Sequence, residues 1–278
     1  MGKKERRIVF AAGLVLLLIF TFTDLQISMA VAKKPGFAKV LEVVGEIPFT
    51  ILTLAGCGMV IRFTGGDFAV KKLVGFIGGL ILFVAFASMG GFMTWNYLNR
   101  NYGGISKIWI LIISVLLAAA ASWIAFKVPA EKKAVALRFA ATALIYFLMV
   151  IIIMNFMKAM WGRMRFREMT DPAKEFTRWY QICGGGGFND AYASFPSGHS
   201  MNSAGVILAI LLPDIIPALK DKKNILRVIA YVWCIVVGAS RVFMGAHFAS
   251  DVTVGILLSF VLFEFIYVFV YRRRPIDE

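Results

Sequence analysis

Apolar residues run along this chain in blocks, not in alternation. Uninterrupted apolar stretches near residues 8–31, 47–63, 73–95, 107–127, 135–157, 200–217, 225–243 and 249–271 are separated by charged or glycine-containing segments. At about 1.5 Å of rise per residue, stretches of this length cross or nearly cross a hydrocarbon layer of roughly 30 Å as helices. The second block is short, and its apolar character reaches back to near Phe37. No segment shows the period of two that a membrane β-strand needs, and no internal repeat is evident. The pattern predicts an all-α, polytopic membrane helical bundle of about eight transmembrane helices, a single membrane domain over 1–278.

Composition agrees with the pattern. The chain is 60% hydrophobic and only 17% charged, with a mean hydropathy of +0.78, which excludes an ordinary soluble domain of this length. Gly75-x3-Gly79 and the Gly90-Gly91 pair read as close helix-packing contacts. A formal charge of +14 raises the question of nucleic acid. Its basic residues sit in short loops between apolar runs, however, with no aromatic-interleaved basic face, so the expected partners are a lipid bilayer and anionic headgroups, with no nucleic acid.

Charge also orients the bundle. Lys3, Lys4, Arg6 and Arg7 lie on one set of alternate helix ends with Arg62, Lys71 and Lys72, and with Lys127, Lys132, Lys133 and Arg138. Lys220, Lys222, Lys223, Arg227 and Arg272-Arg273-Arg274 complete that set. The positive-inside rule makes these ends cytoplasmic, both termini included, and puts loop 158–198 and the turn near 241–248 on the opposite face. The first block has a basic start, and Ala30-Val31-Ala32 resembles a cleavage site. Its length, and Asp24 near its end, favour an uncleaved helix.

Candidate chemistry gathers on that non-cytoplasmic face. The chain's two histidines fall in Phe195-Pro196-Ser197-Gly198-His199-Ser200 and in Ser240-Arg241-Val242-Phe243-Met244-Gly245-Ala246-His247-Phe248-Ala249-Ser250-Asp251. With a helix from Gly245 onward, His247 and Asp251 stand one turn apart at i and i+4. The carboxylate can then accept one imidazole N–H and leave the other nitrogen as nucleophile or base. Arg241 offers a fork of donors for phosphate, and the Pro-Ser-Gly turn opens a helix whose free N–H groups attract an anion. A third basic segment, Lys158-Ala159-Met160-Trp161-Gly162-Arg163-Met164-Arg165-Phe166, follows the fifth apolar block.

Together, Lys158…Arg165, Pro-Ser-Gly-His and Ser-Arg-x5-His-x3-Asp resemble the three-part signature of the type-2 phosphatidic acid phosphatase superfamily, in its integral membrane branch. The family pattern ends its first part in Arg-Pro, where Phe166 follows Arg165 here. The resemblance covers roughly 155–255, so 135–271 are expected to carry the phosphatase motifs and 1–134 to be N-terminal accessory helices. It implies a phosphohistidine mechanism. His247 is the nucleophile, Asp251 orients it and His199 is the general acid and base. Lys158, Arg165, Ser197, Gly198 and Arg241 bind phosphate, with Arg163 a further possibility.

The expected substrate is a membrane lipid phosphate, of phosphatidate, phosphatidylglycerol phosphate or undecaprenyl diphosphate type, in a bacterial plasma membrane. Neither cofactor nor metal is expected, because a di-metal site needs clustered carboxylate and histidine ligands and both histidines are committed. Lipid phosphotransfer through the same intermediate, and non-catalytic transport of a phosphate lipid, are the alternatives. Asp24 in the first span, Glu42 and Glu46 near the second and Glu264 in the last are carboxylates with no partner legible in the sequence. Cys57 and Cys234 read as small core residues and Cys183 as a loop thiol. The four glycines from Gly184 to Gly187 read equally as a linker or as a flap over the site.

Overall fold

A computed structural model describes residues 2–65, 70–184 and 189–272, without the side chains of Lys3 and Lys71. Gly185, Gly186, Gly187, Arg273 and Arg274 therefore lie outside the described residues, as does the flap reading that rests on those glycines. The described residues form helices and no strand. In order these are α1 (Lys3–Val31), α2 (Gly36–Val44), α3 (Ile47–Thr64), α4 (Val70–Tyr102), α5 (Ile108–Phe126), α6 (Lys133–Trp161), α7 (Pro172–Glu175), α8 (Gly198–Ala204), α9 (Lys223–Phe243) and α10 (Ala249–Ile266).

Seven helical stretches among the described residues are long and apolar enough to cross a membrane, one of them running from Gly36 to Thr64. That stretch confirms the early start of the second block. The expected eighth span, 200–217, is not one of the seven. It folds as α8 followed by a 3₁₀ helix over Gly205–Asp214. Val206–Leu212 is apolar throughout, so it offers no polar face from which a helical period can be read.

The chain resolves into two compact units, each interleaved in sequence. One comprises Met1–Gly45, Met149–Gly205 and Tyr231–Glu264 and holds every motif residue. Its helices pack through small residues. A Cβ at Gly13 of α1 would sit 2.7 Å from Leu257 of α10, and one at Gly238 of α9 would sit 2.6 Å from Val252. α1 buries Gly13, Leu17, Asp24 and Ser28 at helical spacing, while Leu14, Leu18, Phe22 and Met29 face outward as a lipid-compatible stripe. At the end of this unit where the motifs lie, Val242, Ala249 and Val252 pack with Phe20, Ile27 and Val31 of α1.

The other unit comprises Glu46–Leu148, Val206–Ala230 and Phe265–Glu278. Its glycines act as expected. Gly79 of α4 would bring a Cβ within 3.1 Å of Val60, and Gly91 within 2.6 Å of the Ile110 carbonyl of α5. Phe49 meets Tyr146 edge to face at 5.5 Å in its core.

Candidate active site

The first unit brings the helix ends that carry the motifs to one place. α6 and α9 arrive by their C-termini, α8 and α10 depart by their N-termini, and α1 and α2 flank them.

His247 sits in the turn between α9 and α10. α9 ends at Phe243, Gly245 takes φ +62°, and the N–H groups of Ala246 and His247 both reach back to the Arg241 carbonyl. That left-handed residue stops the helix and favours glycine. α10 begins only at Ala249, so His247 precedes the helix that carries Asp251. The expected contact between His247 and Asp251 is accordingly replaced by another. His247 Nδ1 lies 2.6 Å from the Ser194 carbonyl oxygen. A carbonyl can only accept, so Nδ1 carries the proton and Nε2 holds the lone pair.

Asp251 does other work. Its carboxylate takes the Phe248 N–H at 2.9 Å, capping α10, and accepts the Ser194 hydroxyl at 2.6 Å. It also accepts from Arg163 at 2.5 Å. Asp251 thus holds the serine whose carbonyl holds His247. Arg163, left open by the sequence, is fully buried and saturated. It donates to the Ser250 hydroxyl at 2.9 Å, to Asp24 at 3.2 Å and to the Thr177 carbonyl at 3.0 Å, and its guanidinium lies 4.1 Å over the Phe248 ring. Asp24 in turn accepts the Ser250 N–H at 3.0 Å and its hydroxyl. Two carboxylates share one guanidinium in a buried lattice, so Arg163 acts as a structural tie and does not reach outward as a phosphate ligand.

The remaining cations close around the imidazole. Burial holds the His247 pKa well below the ordinary imidazole value, and the charges of Lys158, Arg165 and Arg241 push the same way against the opposing Ser194 bond. Lys158 donates to the Ala193 carbonyl at 2.5 Å, and Arg165 to Asp190 at 2.7 Å. Arg241 is buried and donates to Glu42 of α2 at 2.8 Å. Phe166, standing where the family pattern has proline, opens a short 3₁₀ turn and meets Phe248 edge to face at 6.2 Å.

The second histidine belongs to α8. Ser197 is its N-cap, accepting from the Ser200 N–H at 3.3 Å. The Ser197 N–H bonds the Asp251 main-chain carbonyl at 3.1 Å, which ties this turn to α10. Gly255 allows that approach, since a Cβ there would fall 2.8 Å from the Ser197 carbonyl oxygen. Gly198 gives similar room to Met154 of α6. His199 is buried, with Nε2 3.0 Å from the Glu42 carbonyl oxygen. Its proton is therefore on Nε2 and its lone pair on Nδ1, the reverse of His247.

The long loop is pinned over much of its length. Trp161 donates to the Trp179 carbonyl at 2.7 Å and stacks on Phe195 at 4.8 Å, and Trp179 donates to Thr21 of α1 at 2.9 Å. Sequence reasoning marked all the motif residues but missed Ser194, and it left Glu42 and Asp24 without roles. The two carboxylates carried a signal, as charges inside apolar runs. The serine carried none, because it acts through a main-chain carbonyl that every residue has.

Comparison with known proteins follows the same lines. The family model described as PAP2 superfamily matches residues 139–275. Over 72 residues, 25% of the chain, the sequence is 46% identical to phosphatidylglycerophosphatase B of Bacillus subtilis (strain 168), a stretch that spans 36% of that protein's length. A crystal structure of a transmembrane PAP2 type phosphatidylglycerolphosphate phosphatase from Bacillus subtilis aligns over 96% of each chain, at 21% identity and a TM-score of 0.39. The segments that supply the signature residues thus lie within residues 139–275, the stretch of this integral membrane chain that matches the PAP2 superfamily.

Proposed function

We propose that the chain is a metal-independent lipid phosphatase that works through a phosphohistidine on His247. One observation carries the reading: an imidazole whose Nδ1 is committed to a carbonyl leaves Nε2 as a neutral nucleophile amid three cations. Nε2 attacks phosphorus in line as the bond to the lipid oxygen breaks. His199, protonated on Nδ1, gives its proton to the departing oxygen. It then takes a proton from the water that attacks phosphorus, and the P–N bond breaks to free His247 and inorganic phosphate. Lys158, Arg165, Arg241 and the Ser197-Gly198 turn hold the equatorial oxygens, where charge must be stabilised while phosphoryl transfers.

The substrate class is a lipid phosphate or polyprenyl diphosphate anchored by its tails, with its headgroup at the non-cytoplasmic face of a bacterial plasma membrane. Phosphatidylglycerol phosphate is the first member to test, on the strength of the Bacillus subtilis relative. Release of phosphate from a panel of lipid phosphates in detergent tests the activity, and full turnover is expected in EDTA. A strict metal requirement would defeat the histidine-only scheme. Adding an alcohol acceptor separates hydrolysis from phosphotransfer by its product. Binding or flux without turnover would point to transport.

A further inference from the structure

α2 and its Glu42 lie far outside the residues that the family model covers, 139–275. Yet Glu42 touches two of the residues assigned to the reaction. Its carboxylate accepts from Arg241 at 2.8 Å, with both side chains buried. Its main-chain carbonyl accepts from His199 Nε2 at 3.0 Å. α2 is itself fixed to the site wall, because Ala38 packs with Met244 and Ala246, two residues of the turn that leads into His247.

We propose that Glu42 is a positioning residue of the phosphatase site, setting the guanidinium plane of Arg241 with its side chain and the tautomer of His199 with its backbone. The proposal rests on the lipid phosphatase reading above. A buried Arg–carboxylate bond is short and directional, so it fixes which guanidinium N–H groups face a phosphoryl oxygen. The buried carboxylate also offsets the charge of Arg241, and negative charge near an imidazole favours the protonated form that an acid needs. The charged groups around these side chains are Glu42 from α2, Lys158 from α6, Arg165 and Asp190 from the loop, Arg241 from α9 and Asp251 from α10. Glu42, Asp190 and Asp251 are the acidic members, with Asp190 engaged by Arg165 and Asp251 by Arg163.

The chain has two histidines, so nitrogen-15 labelling of histidine in the full-length protein in detergent resolves both imidazoles without any turnover. His199 is expected as the Nε2–H tautomer. Glu42→Gln should lower its titration midpoint by about one pH unit, tenfold in proton affinity. Glu42→Asp, which keeps the charge but shortens the reach, should leave the midpoint near that of the wild type. With a lipid phosphate that the wild type hydrolyses, Glu42→Gln should cut kcat/KM by about tenfold or more and move the alkaline limb of kcat to lower pH. In an Arg241→Ala background the same substitution should cost less than about twofold, because its partner is already gone.

An unmoved His199 midpoint in Glu42→Gln overturns the proposal. So do losses that simply multiply in the double variant, since a scaffold role acts independently of Arg241. If the wild type releases no phosphate from any lipid tested, the phosphatase reading falls, and the imidazole titration alone decides for or against Glu42.

Discussion

At the scale of single residues, the account turns on which nitrogen of each imidazole is free. His247→Ala removes the proposed nucleophile and should reduce phosphate release by more than about a thousandfold while the protein stays folded. The buried, neutral state of His247 also has a thermodynamic consequence. Its native pKa is depressed, so below about 6.5 the unfolded chain binds a proton that the native state refuses. The contribution is fully present above about pH 6.5 and is lost as pH falls, by up to about 1.4 kcal/mol per pH unit until the native group itself titrates. Melting in detergent between about pH 5 and pH 7 should therefore be less steeply pH-dependent in His247→Gln than in the wild type, and equal slopes would contradict a neutral native imidazole.

Arg163 makes a different prediction. Removing it leaves Asp24 and Asp251 buried without their shared guanidinium, so Arg163→Ala should cost about 3–5 kcal/mol and be seen first as lost folded protein. The sequence showed Arg163 as one of three basic residues between Lys158 and Phe166, and nothing in it told a saturated internal tie from a phosphate ligand. That distinction depends on where Asp24, from a helix some 140 positions away, comes to rest.

Helices and turns fix the precision of the site. Gly255 is the tightest test, because a methyl group there meets the Ser197 main-chain oxygen, which cannot swing aside as a side chain can. Gly255→Ala should destabilise by about 1–3 kcal/mol and lower activity beyond what the loss of folded protein explains, by pushing the Ser197-Gly198 turn off α10. Thermal melting and kcat measured on the same preparation check both parts.

Element boundaries were the less legible part of the sequence. A helix drawn from Gly245 onward pairs His247 with Asp251 by spacing alone. In the structure Gly245 is a left-handed stop, and three further residues pass before α10 begins. The i, i+4 rule failed because the turn consumed the residues it needed. Block length correctly gave the other spans, while Val206–Leu212 hid a 3₁₀ segment inside a run with no polar face.

On the scale of the whole molecule, the family resemblance marked the motif residues but not what holds them in place. Residues 1–134 read as accessory helices, whereas Asp24 and Glu42 from that region bond directly to Ser250, Arg163 and Arg241. Hydropathy could mark these carboxylates as unusual. Finding their partners requires the tertiary structure, since both lie more than a hundred residues away. Sidedness remains a prediction from charge bias, and Cys183 gives a direct check. It is exposed in the long loop, while Cys57 and Cys234 are buried. A membrane-impermeant maleimide applied to intact cells should label the wild type and not Cys183→Ser, and labelling only after the membrane is opened would reverse the assigned orientation.

The most direct test of the central claim is to trap the intermediate. Full-length protein is mixed with a lipid phosphate carrying a radiolabelled phosphoryl group, quenched in alkali where a phosphohistidine survives, and digested. The account predicts label on the peptide containing His247, at Nε2, and none in His247→Ala. Phosphate release with no trapped label, or label that persists in His247→Ala, would contradict it.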